Sequence, residues 1–206
     1  YQPNINISLN PSANWGIDAS WTDLFTRQKD GFKAVNDTII MQNRNPGFNL
    51  SPRFNWGNDR RLHILVANYL NIRMVDNNAF TKAYMEYSAI IYNLMYSISF
   101  LQAQSSVNIG LNRTQNTTEA FEETGHGGSI GYSQTWKEGR LNLNSNLGLQ
   151  LSDINTNYTI NAGLNYALNK RHTLGANICY LNNKSNHINS RDFTELTGVL
   201  RYTLNF

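Results

Sequence analysis

Apolar and polar residues alternate along almost the whole chain, and a period of two marks β-strands, whose successive side chains point to opposite faces. Near the end, Leu196, Gly198, Leu200, Tyr202, Leu204 and Phe206 alternate with Glu195, Thr197, Val199, Arg201, Thr203 and Asn205. Leu141, Leu143, Leu147, Leu149 and Leu151 alternate with Asn142, Asn144, Asn146, Gly148 and Gln150, and Tyr158, Ile160, Ala162, Leu164, Tyr166 and Leu168 continue the pattern. Earlier apolar sides are Ile5, Ile7 and Leu9; Trp15, Ile17, Ala19 and Trp21; Phe48, Leu50, Phe54 and Trp56; and Val107, Ile109 and Leu111. Another, Leu62, Ile64, Val66, Leu70, Ile72 and Met74, stands over Arg61, His63, Asn71 and Arg73. Thr81 to Leu101 also fits a helical stripe, but Tyr92, Leu94, Tyr96, Ile98 and Phe100 alternate with Asn93, Ser97 and Ser99, which reads as one long strand. The pattern predicts an all-β antiparallel chain of eleven strands, or twelve if Lys33 to Met41 forms another.

The polar face separates two architectures. A soluble sandwich turns a Lys- and Glu-rich face to water. Here that face is Asn, Ser, Thr and Gly with a few Arg, the pattern of a transmembrane β-barrel with apolar residues in lipid and small polar ones toward a lumen. The expected topology alternates inner turns at Asn10 to Ala13, Gly57 to Asp59, Gln102 to Ser106, Lys137 to Gly139 and Asn169-Lys170 with outer loops. Those loops are Arg27 to Gly47, Asp76 to Ala79, Thr114 to Gly127, Asp153 to Thr156 and Ser185 to Asp192. The acidic Glu119, Glu122 and Glu123 and the glycines from Gly125 to Gly128 then sit in a long outer loop. Trp15, Trp56, Trp136, Tyr166, Tyr202 and Phe206 point outward near the inner strand ends, as a girdle at the lipid–water boundary. Tyr158 and Tyr180 mark the other boundary.

Composition narrows the chemistry. The chain has 32 Asn among 206 residues, one Cys and a net charge of +3. One Cys excludes a disulfide framework and a Cys-based zinc site. The charge is too diffuse to indicate nucleic acid, and no basic run exceeds Arg60-Arg61. No apolar run approaches the ~20 residues of a spanning helix, and Tyr1 to Ile5 lacks the features of a signal peptide. None of the four His stands beside a Ser/Asp pair at one height, so no catalytic residues are expected. His63 is expected toward the lumen, His126 and His187 in loops, and His172 at the inner boundary facing lipid. The glycines around Gly125 break the dinucleotide fingerprint at Ile130, and Asp153, Asn155 and Asn157 lack the glycine and bidentate Glu of a calcium loop. No cofactor or metal is expected, and Cys179 is expected to be inert on the lumen face.

Leu200-Arg201-Tyr202-Thr203-Leu204-Asn205-Phe206 resembles the C-terminal strand signal of Gram-negative outer-membrane β-barrels. Tyr92 to Phe100 and the Asn/Tyr/Leu-rich strands resemble barrels of Bacteroidetes-type bacteria. The resemblance implies an outer-membrane location and insertion by the barrel assembly machinery through Leu200, Tyr202, Leu204 and Phe206. Residues 1–206 are then one barrel domain, expected to be the C-terminal part of a larger barrel because single-chain barrels have even strand numbers. Arg53, Arg73, Arg140 and Arg201, with Glu195, are the candidate lumen-lining charges, and a ring of Arg favours anions. The expected function is a non-enzymatic pore for small polar solutes. The alternative is a barrel subunit that anchors or docks other outer-membrane or periplasmic proteins.

Overall fold

The structure, a computed structural model, describes residues 2–29, 39–78, 83–169, 171–186 and 191–204. It is all-β: β1 (Asn4–Ser12), β2 (Trp15–Lys29), β3 (Ile39–Asn58), β4 (Arg61–Asn78), β5 (Ala83–Phe100), β6 (Ser105–Thr118), β7 (Glu122–Trp136), β8 (Leu141–Ser152), β9 (Asn155–Ala167), β10 (His172–Ser185) and β11 (Phe193–Leu204). Each strand pairs with its neighbours in chain order in one antiparallel sheet, which is open, with β1 and β11 at its edges. Of the possible twelfth strand, residues 39–41 belong to β3 and the remainder lies outside the described residues.

Local chemistry sets the hairpins. Asn58 Oδ1 accepts the backbone N–H groups of Arg60 (2.9 Å) and Arg61 (3.0 Å), and Asn169 Oδ1 those of Arg171 (2.9 Å) and His172 (3.0 Å). Ser152 Oγ accepts from Ile154 and Asn155, and Thr118 Oγ1 from Ala120 and Phe121. A short polar side chain that imitates the backbone in this way closes a turn in a few residues. These turns shorten two expected outer loops. The β6–β7 connection is Glu119 to Phe121 and the β8–β9 connection is Asp153-Ile154, so His126 and Gly125 to Gly128 lie within β7. The polar composition of Thr114 to Gly127 concealed a hairpin whose strands run on past the apolar segment.

The contacts divide the chain into two units, residues 1–53, 67–93 and 113–124, and residues 54–66, 94–112 and 125–206. Unit 1 contains β1 and β2, where Ile5, Ile7 and Leu9 face Trp21, Ala19 and Ile17 in register. Unit 2 contains β8 to β11. Its rungs keep like with like: Leu141, Tyr166, Leu174 and Tyr202 form one row, Leu143, Leu164, Ala176 and Leu200 the next, and Leu147 opposes Ile130 and Ile160.

The described residues form no second layer over the sheet. Among the described residues Ala89 is the one buried hydrophobic residue and no large side chain is fully buried, whereas Leu147 is 53% and Leu200 88% exposed.

Candidate functional site: an amide face and two kinds of cation

In unit 2 the face opposite the leucines is built of amides and glycines. Asn142 opposes Asn165, Asn146 opposes Asn161, and Gln150 opposes Gly127 and Asn157. Asn112 Nδ2 donates to Gln150 Oε1 (3.1 Å), Asn183 to Asn157, and Ser106 and Ser133 share a hydrogen bond of 2.7 Å. Asparagine and glycine interlock: a methyl at Gly175 would stand 2.8 Å from Asn165 Oδ1, and one at Gly163 3.1 Å from Asn177 Oδ1. A groove of about 440 Å³ lies here, lined by Asn144, Asn146, Asn161, Asn165, Asn177 and Arg201 among others.

Of the charges expected on this face, Arg201 lines the groove opposite Gly175. Glu195 opposes Leu181 and accepts a hydrogen bond from Thr197 Oγ1 (3.1 Å). Arg140 closes the β7–β8 turn, its carbonyl accepting from Ala167 N–H (2.7 Å). In unit 1, Arg53 reaches Asn10 Oδ1 (3.4 Å), and Ser8 Oγ donates to Asp18 Oδ1 (2.6 Å). Cys179 opposes Asn161 and Thr197 on the amide face.

The face expected for β4 is reversed. In unit 2, His63 stacks on Trp56 (ring centroids 5.3 Å, planes 6° apart) and shares a 2.7 Å hydrogen bond with Tyr96 Oη. Arg61 lies over Phe100, 5.6 Å from its centroid. Arg61 and His63 therefore share the face of Trp56, and alternation puts Leu62, Ile64 and Val66 on the other. In unit 1, Asn68 Nδ2 donates to Asn49 Oδ1 (2.8 Å), so Leu70, Ile72 and Met74 take the amide side. Arg73 is instead on the side of Tyr69, whose ring meets Phe48 (6.1 Å) and Tyr92 (5.2 Å). The cause is the turn: Asn58 closes it over two residues, Asp59 and Arg60, and a one-residue change in turn length moves every side chain of the following strand to the opposite face.

Two arginines of unit 1 are held in ion pairs. Arg44 bonds to Asp23 through Nε (3.0 Å) and Nη2 (2.7 Å), both to Oδ2, and Asp23 is the one buried charged residue among those described. Arg73 Nε donates to Glu86 Oε1 (2.7 Å), and Tyr84 Oη donates to Glu86 Oε2 (2.7 Å). The Tyr84 hydroxyl, and then Arg73, hold the Glu86 carboxyl below its usual range, and the same hydrogen bond raises the Tyr84 phenol. Arg73 is thus neither unpaired nor on the amide side.

Two cations of unit 2, Arg61 and Lys137, are held differently. At the turn ends, Trp56, Trp136, Tyr166 and Tyr202 stand on the leucine-bearing face; Trp136 opposes Leu141 and Tyr166 opposes Leu174. Lys137 Nζ lies 5.2 Å from the Tyr166 centroid, and His172 hydrogen-bonds Tyr202. Leu200 opposes Ala176 and Leu204 opposes His172. In unit 1, Trp15 begins β2 opposite Ser12. Phe206 and His187 lie outside the described residues. The roles of Lys137, Asp23 and Glu86 were not singled out by the alternation, which sorts faces and is blind to cross-strand partners. Asn58 followed by Asp59-Arg60 was the signal that could have placed His63 beside Trp56.

A comparison with protein-family models found no match, and neither did a comparison with curated proteins.

Proposed function

We propose that the chain forms the wall of a bacterial outer-membrane β-barrel, with its leucine-bearing face in lipid and its amide face toward an aqueous lumen that passes small polar solutes. The observation that carries this reading is an apolar face left uncovered opposite an Asn/Gly/Ser face, with Ala89 the one buried hydrophobic residue among those described. In water each Å² of apolar surface left exposed forgoes roughly 25 cal/mol, whereas a bilayer supplies the cover. Strands of 12 to 15 residues in β6 to β11 exceed the roughly 9–11 needed to cross a bilayer. In unit 1, Glu86 is the fourth residue of β5, fourteen residues before the turn end at Phe100 and so beyond the roughly 9–11 residues that cross a bilayer. A barrel has no edge, so this reading requires partners for β1 and β11. The C-terminal resemblance supports insertion by the barrel assembly machinery through Leu200, Tyr202 and Leu204, and Bacteroidetes-type barrels as the nearest style.

Planar-bilayer recording tests the pore. With Arg73 on the other side, unit 2's amide face carries Arg201 against Glu195, so the expected conductance is weakly selective and Arg201→Glu moves it toward cations. Absence of conductance from pure, inserted protein removes the pore. The docking-subunit reading then leads, and the apolar Leu62, Ile64 and Val66 opposite the Trp56 face favour it.

A further inference from the structure

We propose that the turn-end row of unit 2 binds the phosphates of anionic phospholipids, with Arg61 and Lys137 as the binding cations. The inference rests on the membrane reading above and names the lipid that the row selects. Neither cation has a carboxylate within 4 Å among the described residues, whereas Arg44 and Arg73 each do. Each is held instead over an aromatic ring, Arg61 over Phe100 and Lys137 over Tyr166. A cation seated on a ring keeps its N–H donors free for an anion. Aromatic rings with basic side chains reaching past them match a lipid whose acyl chains end at ring height and whose phosphate lies one side-chain length beyond.

Backbone conformation supplies an independent observation. Lys137 and Glu138 occupy the left-handed region, φ 52° and 56°, with Gly139 N–H donating to the Trp136 carbonyl (3.2 Å). The four-residue connection Lys137 to Arg140 thus holds three successive left-handed residues, of which the third is Gly139 (φ 92°), and at the first two Asn or Gly would sit without strain. Such strain is kept where a side chain is needed, and here it carries Lys137 to the Tyr166 ring. The surrounding charge agrees: the described residues of the β3–β4, β7–β8 and β9–β10 turns and the strand starts beside them contain Arg60, Arg61, Lys137, Arg140 and Arg171 against Asp59 and Glu138. Each cation near a membrane surface favours an anionic lipid by about five-fold.

The test uses the full chain carrying Trp15→Phe and Trp21→Phe, so that emission reports Trp56 and Trp136, in vesicles of equal phosphatidylcholine and phosphatidylglycerol. Bromine is placed on one lipid or the other. Brominated phosphatidylglycerol is expected to quench at least about twice as strongly, and Arg61→Ala with Lys137→Ala to equalise the two, while Arg61→Lys with Lys137→Arg preserves the preference. Inorganic phosphate, against chloride at equal ionic strength, should leave the ratio in place; selective collapse would mean a site for free phosphate and overturn the lipid assignment. Equal quenching by the two lipids in the unsubstituted row overturns the proposal and leaves the membrane reading standing. Quenching by neither overturns the membrane reading itself. The comparison needs no row variant to fold.

Discussion

Two cations in each unit are held in opposite ways. In unit 1, Arg44 and Arg73 lie against carboxylates, with Asp23 buried beneath the first and Tyr84 completing the second. In unit 2, Arg61 and Lys137 lie over rings with no carboxylate within reach among the described residues. A charge that carries its own counterion is satisfied within the protein. One parked on an aromatic plane is suited to a boundary where the anion comes from outside the protein.

The largest expected effect tests whether unit 2 tolerates cations only at ring height. Leu147 stands in the middle of β8, opposite Ile130 and Ile160, and Arg there should cost about 2–4 kcal/mol in lipid if it lies near the bilayer midplane. Leu204, opposite His172 at the turn end, should accept Arg for about 0–1 kcal/mol. Urea unfolding in vesicles measures both. Equal costs at the two positions would remove the height dependence on which the comparison stands.

Faces were legible in the sequence wherever a strand's parity could be carried across a turn of known length, as in β8 to β11, where Leu164, Leu200 and Tyr202 fall in register on one side. At β4 they were not, because a turn read as Gly57 to Asp59 is Asp59-Arg60, and that slip put Arg73 and His63 on the wrong side. β1 shows the converse: a register shift between Leu9 and Ser12 restores parity, so Ile7 still meets Ala19 although Ser12 meets Trp15. Bulges and turn lengths are backbone properties with weak side-chain signatures, whereas burial has a strong one. Ion pairs such as Arg44 with Asp23 bridge residues 21 apart and depend on register, so they inherit its uncertainty.

A smaller effect lies at the left-handed turn of unit 2. Lys137→Asn with Glu138→Gly supplies residues that accept the left-handed conformation, and should stabilise the hairpin by about 1 kcal/mol while removing the cation over Tyr166. Unfolding free energy in neutral lipid should rise as preference for anionic lipid falls. A variant that gains stability with its lipid preference intact would separate the strain from the function assigned to it.

The smallest effect lies in unit 1 and is read by pH. Glu86 is held below its usual 4.5 by the Tyr84 hydroxyl first and Arg73 second, so the folded state favours its carboxylate. Its contribution to stability is then present above pH 4.5 and is lost as pH falls through the lower folded value. Tyr84 is raised above 10.0 by the same hydrogen bond, so the proton is favoured in the folded state and that contribution is lost as pH rises through the raised value. Urea midpoints from pH 3 to 11 should therefore fall at both ends. Tyr84→Phe should remove the alkaline loss and weaken the acid one, and Glu86→Gln should remove both. Both groups are exposed enough for solvent to screen the pair, so the shifts should be small and shrink further in salt. Arg44→Ala, which strips the counterion from buried Asp23, should lower the midpoint more than Arg73→Ala does, because a buried carboxylate has no water to replace its partner. If the order were reversed, the two pairs would not differ by burial, and unit 1's charges would be a solvated surface rather than a self-contained set of counterions.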